Sequence, residues 1–183
     1  MIDPRIDPRL PKRIALLGGE SSGKSTLAHA LAEQLGGTAV DEYGRSLWEA
    51  RDGALDFDDM LGIATTQIAM EEQAMASGAE WVVCDTTPLT TLFYSLDIFG
   101  WAAPQLEQLA ERPYDYLFLC APDFPFVQDG TRREAGFRDV QHRWYVTALE
   151  ARKLPYRLLE GSVAQRVATA MADLINPQNN RVR

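Results

Sequence analysis

The sequence predicts an α/β domain in which a five-stranded parallel sheet carries helices on both faces. Three observations lead there. Short apolar runs alternate along the chain with longer segments of helical periodicity. The first run passes through a glycine-rich turn into a helix. The glycine turn, the acids Glu42 and Asp85, and the loop after Cys120 all follow strand-like runs, so one edge of the sheet should collect them.

Lys12 to Leu17 reads as a buried strand, and Thr26 to Leu35 as a helix with Leu27, Ala28, Leu31 and Ala32 on one face, closed by Gly36-Gly37. Thr38 to Asp41 is a short second strand, followed by Glu42-Tyr43-Gly44-Arg45. Asp58 and Asp59 open a long helix to Ala76, where both acids suit its positive N-terminus. Trp81 to Asp85 is a strand that ends on an acid. Thr87-Pro88 starts a helix towards Phe99, and Pro104 to Glu111 fits another. Tyr114 to Cys120 is the fourth strand, Phe137 to Lys153 a helix, Tyr156 to Leu159 the fifth strand, and Val163 to Ile175 the closing helix. Residues 12–176 are expected as one domain, with a lid at about 122–136. Residues 1–11, with the duplicated Ile-Asp-Pro-Arg, read as an extended arm that is flexible or packs on a second copy in a homo-oligomer. Residues 177–183 read as a polar tail.

With 183 residues and 46% hydrophobic content the chain can bury a full core. Its net charge of −8 argues against nucleic acid or an anionic membrane as partner. No apolar run approaches the ~20 residues of a membrane span, and a cytoplasmic location is expected. Cys84 and Cys120 end apolar runs and are expected as buried small side chains, in neither a disulfide nor a zinc site.

Gly18-Gly19-Glu20-Ser21-Ser22-Gly23-Lys24-Ser25 fits G-x-x-x-x-G-K-[ST], the phosphate-binding loop of the P-loop NTPase fold. Its glycines let successive N–H groups turn inward on a phosphate chain. Lys24 brings a charge to the β/γ-phosphates, and the Ser25 hydroxyl can ligate Mg²⁺. The expected cofactors are therefore ATP and Mg²⁺. Asp85, at a strand end, stands where such proteins keep the acid that organises the metal. Thr86 follows it where a mechanical ATPase carries a second acid. A GTPase would show Asn-Lys-x-Asp, but the asparagines are Asn176, Asn179 and Asn180, all at the C-terminus. Glu42 and its neighbours fit an acceptor site, as proton acceptor or sugar ligand, or else a charged strand end. The loop arginines Arg132, Arg133 and Arg138 form a basic island suited to charge on a transferring phosphoryl group.

The chain resembles the ribosylnicotinamide kinase domain of the NadR type over roughly residues 13–175. The resemblance is carried by Gly18 to Thr26, by Glu42-Tyr43-Gly44-Arg45, by Asp85-Thr86 with Thr90-Thr91, by Asp129-Gly130-x-Arg132, and by Gln67. It implies a three-layer nucleoside-kinase-like fold with a lid that phosphorylates nicotinamide riboside to the mononucleotide. It further implies that residues 18–26 cradle the ATP phosphates and that Ser25 and Asp85 organise Mg²⁺. Glu42 would face the riboside with Tyr43, Arg45, Gln67 and Thr86 nearby, and Arg132 and Arg133 would close over the phosphates. The base remains Asp41, Glu42 or Asp85. The adenylyltransferase and DNA-binding segments of many relatives find no counterpart in the sequence, so the mononucleotide rather than NAD is the expected product. The alternatives are a kinase for another nucleoside or small metabolite, and a nucleotide-binding regulatory module without phosphotransfer.

Overall fold

The computed structural model describes residues 11–125 and 135–175. The predicted lid therefore falls largely outside the described residues, as do Arg132, Arg133 and the two termini. Five strands form one parallel sheet: β1 (Lys12–Leu17), β2 (Thr38–Val40), β3 (Trp81–Asp85), β4 (Tyr116–Cys120) and β5 (Arg157–Leu159). Their spatial order is β2-β3-β1-β4-β5, which makes β1 the central strand. In register, Leu16 stands beside Asp85 on one side and Phe118 on the other.

The period of two along β1 builds both apolar layers. Ile14 and Leu16 face α1 (Lys24–Leu35) and α7 (Val163–Ile175), joining Leu27, Leu31 and Ala170. Ala15 and Leu17 face the opposite layer, formed by α3 (Phe57–Ala76), α4 (Pro88–Phe99), α5 (Pro104–Leu109) and α6 (Ala135–Ala151). The parallel sheet covered on both faces is thus as the sequence predicts, with nearly every expected element within two residues of its observed bounds. Helix α2 (Tyr43–Ala50) is the addition. Its N-cap, Glu42, makes no side-chain capping bond, so the sequence carries no start signal for it.

Helix α3 begins on a capping box, with Asp56 accepting from the Asp59 N–H at 3.0 Å and Asp59 from the Asp56 N–H at 2.9 Å. Buried Glu71, further along α3, accepts from the Tyr114 hydroxyl at 2.9 Å and from Arg112 Nε at 3.2 Å. Desolvation pushes the Glu71 carboxyl above its ordinary value, against the pull of these two donors. This buried cluster pins α3 to the chain entering β4. Cys84 and Cys120 are buried free thiols, and burial pushes Cys120 up to about 11. Among the described residues, no helix is long and apolar enough to cross a membrane.

Candidate functional site

The chain after β1 cannot continue straight, because residues 18–23 must deliver it into α1. Gly18 (φ 144°), Ser21 (φ 55°) and Gly23 (φ 79°) supply the positive φ values that curl the loop. At Gly23 a side chain has no room either, since a Cβ would lie 2.1 Å from the Phe124 ring. The Ser22 hydroxyl and Lys24 Nζ both donate to the Gly19 carbonyl, at 2.7 and 3.1 Å. Ser25 and Thr26 follow Lys24 in the first turn of α1, exposed at its positive end.

Arg166 on α7 holds the loop from beneath, fully buried. It donates to the carbonyls of Ser22 (2.6 Å), Ala121 (3.1 Å) and Gly161 (3.0 Å), and pairs with Asp123. Its guanidinium lies 4.3 Å from the centre of the Phe124 ring. Replacing Arg166 with Met leaves these carbonyls without their donor and should cost about 3 kcal/mol of stability. Denaturant unfolding measures that loss, and nucleotide affinity should fall with it.

At the end of β3, Asp85 is 2% exposed, and its Oδ1 has no hydrogen-bond partner among the described residues. Thr86 adopts φ 78°, a strained value for a β-branched residue, while its N–H donates to Leu16 O at 3.0 Å. The Thr86 hydroxyl is likewise buried without a partner among the described residues.

At the end of β2, Gln67 reaches from α3 and grips the backbone on both sides of Glu42. Its Oε1 accepts from the Tyr43 N–H at 2.9 Å and its Nε2 donates to Asp41 O at 3.2 Å. Glu42 is thereby held at the wall of a cavity of about 340 Å³. The cavity is lined by the phosphate loop, by Glu42, Arg45 and Thr86, and by the apolar side chains of Trp48, Leu55 and Ile98. Desolvation pushes the Glu42 carboxyl above its ordinary value; Lys24 pulls it down, Asp85 pushes it up, Arg45 pulls it down and Glu20 pushes it up.

Of the residues singled out in the sequence, the loop from Gly18 to Thr26 (Gly19 apart), Glu42, Arg45, Gln67 and Thr86 line this one cavity. Gly19 carries the acceptor carbonyl beneath it, and Asp85 lies behind its wall, close enough for its charge to act on Glu42. Two others turn elsewhere. Asp41 is exposed and meets His29 Nε2 at 2.9 Å. Tyr43 packs its ring against the apolar core. The sequence reading missed Arg166 and Gln141. Each had a signal: Arg166 and Gln141 interrupt apolar helical stripes, at Val163–Val167–Ala170 and at Tyr145–Ala148 respectively.

Magnesium commonly keeps several waters and takes one or two carboxylates besides substrate phosphates. A buried carboxylate with an oxygen unpartnered among the described residues, together with an exposed serine at the phosphate loop, fits that habit. Ser25 and Asp85 are the candidates to hold it.

An AAA domain family, AAA_28, matches residues 13–166. The trifunctional NAD biosynthesis/regulator protein NadR of Salmonella typhimurium is 32% identical over 136 residues, covering 72% of this chain and 33% of the relative. The Escherichia coli NadR gives the same figures. The chain thus spans about a third of the length of these relatives. Among solved structures, a NadR protein in complex with NR superposes with a TM-score of 0.73 at 23% identity, over 96% of this chain and 53% of that one. A thymidylate kinase from Ehrlichia chaffeensis superposes with a TM-score of 0.61 at 19% identity, over 90% and 99%. These likenesses establish the P-loop kinase fold. By the match over residues 13–166, which takes in the phosphate loop, every strand and the anchoring arginine, the chain belongs to the AAA_28 family of AAA domains.

Proposed function

We propose that the protein transfers the γ-phosphoryl group of ATP to the primary ribose hydroxyl of nicotinamide riboside, yielding the mononucleotide and ADP. The observation that carries this reading is that one cavity is lined by both the phosphate loop and Glu42. A donor phosphate on Lys24 and an acceptor hydroxyl at Glu42 would share one enclosure, which suits direct in-line transfer. A carboxyl raised by burial is a better proton acceptor than a solvated one, so Glu42 suits the base for that hydroxyl. Asp41, turned to His29, suits that role less. Arg45 and Gln67 line the acceptor half, Gln67 mainly by fixing the backbone around Glu42. Thr86 lines the same cavity, and its buried hydroxyl has no partner among the described residues.

Ser25 and Asp85 would hold Mg²⁺, which supplies charge neutralisation between the β- and γ-phosphates when bound. Lys24 would hold the same phosphates from within the loop. The choice of acceptor draws support from the relatives named NadR and from the NadR structure in complex with NR.

The test is ADP release with Mg·ATP across a panel of acceptors, nicotinamide riboside first and the common nucleosides after it. Strong release with nicotinamide riboside, and a product of mononucleotide mass, is the expected result. Release with a different nucleoside alone would reassign the acceptor. Nucleotide binding without any acceptor-dependent release would overturn the kinase reading in favour of a regulatory module.

A further inference from the structure

One peptide group of the phosphate loop is held by side chains at both of its polar ends. Its carbonyl, on Gly19, accepts from Ser22 and Lys24. Its N–H, on Glu20, donates to Gln141 Oε1 at 2.7 Å. Gln141 is 1% exposed on α6, and its Nε2 donates to the Tyr94 hydroxyl at 3.0 Å. The Tyr94 hydroxyl then donates to Glu20 Oε1 at 3.0 Å, which closes a ring across the loop, α4 and α6.

Donors and acceptors match around this ring, and that fixes the glutamine amide. A flipped Gln141 would set its NH₂ against the Glu20 N–H, donor facing donor. Burial, followed by the charges of Glu20 and Glu42, pushes the Tyr94 phenol far above its ordinary value, so the hydroxyl keeps its proton and remains a donor. The backbone of α6 presses on the same peptide. A Cβ at Gly19 would lie 2.8 Å from the Arg138 carbonyl oxygen, so only glycine allows this approach.

The position of this peptide gives the ring its meaning. Its carbonyl is bonded to the lysine that reaches the β/γ-phosphates, so its orientation bears on the group that would meet the terminal phosphate. When a triphosphate draws the Lys24 ammonium away, the carbonyl retains Ser22 and the N–H retains Gln141. We infer that Gln141 is a positioning residue for the terminal phosphate: it fixes the orientation of the Gly19–Glu20 peptide from α6, with Tyr94 fixing Gln141 in turn. A diphosphate lacks the terminal phosphate, so its binding should depend much less on Gln141. The inference rests on the nucleotide half of the proposed function and is independent of the acceptor.

Calorimetric affinities for Mg·ADP and Mg·AMP-PNP, compared between the wild-type chain and Gln141→Leu, test it. Leucine keeps most of the volume and removes both polar atoms. ADP affinity should stay within about twofold, while AMP-PNP binding weakens about tenfold, the scale of one lost hydrogen bond in a charged site. Equal weakening for both nucleotides would overturn the inference, because Gln141 would then support the loop as a whole. No weakening for either would overturn it as well. Should Gln141→Leu fail to fold, Tyr94→Phe removes a single oxygen from the same ring, and the same ratio decides, with about a threefold change expected. A wild-type chain that binds neither nucleotide would instead overturn the nucleotide site itself, and that is seen before any variant is made.

Discussion

Lys24→Ala abolishes phosphoryl transfer, lowering kcat by at least about 10³-fold, the range seen when a cation is removed from a transferring phosphoryl group. The fold survives. Lys24 is only partly buried, at the first position of α1, where alanine is a good helix former. Among the described residues its hydrogen bond goes to the Gly19 carbonyl, which keeps the Ser22 hydroxyl as a second donor. Single-turnover transfer measured beside a thermal melt separates the two effects. A variant with near-normal turnover would remove the phosphate loop from the mechanism. A variant that melts many degrees lower would mean that Lys24 belongs to the core.

Glu42→Gln has the second large effect, and it acts in opposite directions on activity and stability. Acceptor-dependent kcat should fall about 10²- to 10³-fold, the usual contribution of a positioned base. Nucleotide affinity should hardly move, because Glu42 stands in the cavity wall after β2 rather than in the loop. The scaffold survives because Gln67 grips the backbone of residues 41 and 43 and makes no use of the carboxylate. Stability at neutral pH should rise. A carboxyl raised by burial binds its proton more tightly folded than unfolded, so the folded state holds more protons between the two values. Wild-type stability therefore falls as pH climbs from the ordinary carboxylate value through the raised one. The glutamine variant escapes that fall, so the difference between the two proteins should grow with pH and vanish in acid. Subtracting the two unfolding curves removes the similar contribution of Glu71, whose carboxyl is also raised. A difference that does not change with pH would show that Glu42 is solvated and poorly suited as a base.

What could be read from the chain followed from how local each signal is. The phosphate loop was legible because its spacing is a backbone requirement written in consecutive residues. Asp85 was legible because the end of an apolar strand fixes its address in a parallel sheet. Helix α2 was not, since it is eight residues long and carries no capping bond at Glu42. Asp41 and Glu42 are adjacent and chemically alike. Only the path of the chain into α2, pinned by Gln67 from twenty-odd residues away, turns one carboxylate to His29 and the other to the cavity. The ring of Glu20, Tyr94 and Gln141 joins three distant segments, and no spacing rule relates them. Arg166 stood in plain view as a charge on an apolar stripe, and its meaning needed the carbonyls that it meets.

That arginine also orders events in time. The phosphate loop joins the strand and helix of this domain that are synthesised early, β1 and α1, whereas the guanidinium that supports its Ser22 carbonyl arrives later, on α7. A nascent chain stopped before α7 would carry the whole loop motif without its anchor, and the sheet edge at Ala121 would lack the same donor. Nucleotide competence is then among the last properties this domain acquires. A half-made domain would leave ATP alone until its C-terminal helix had docked.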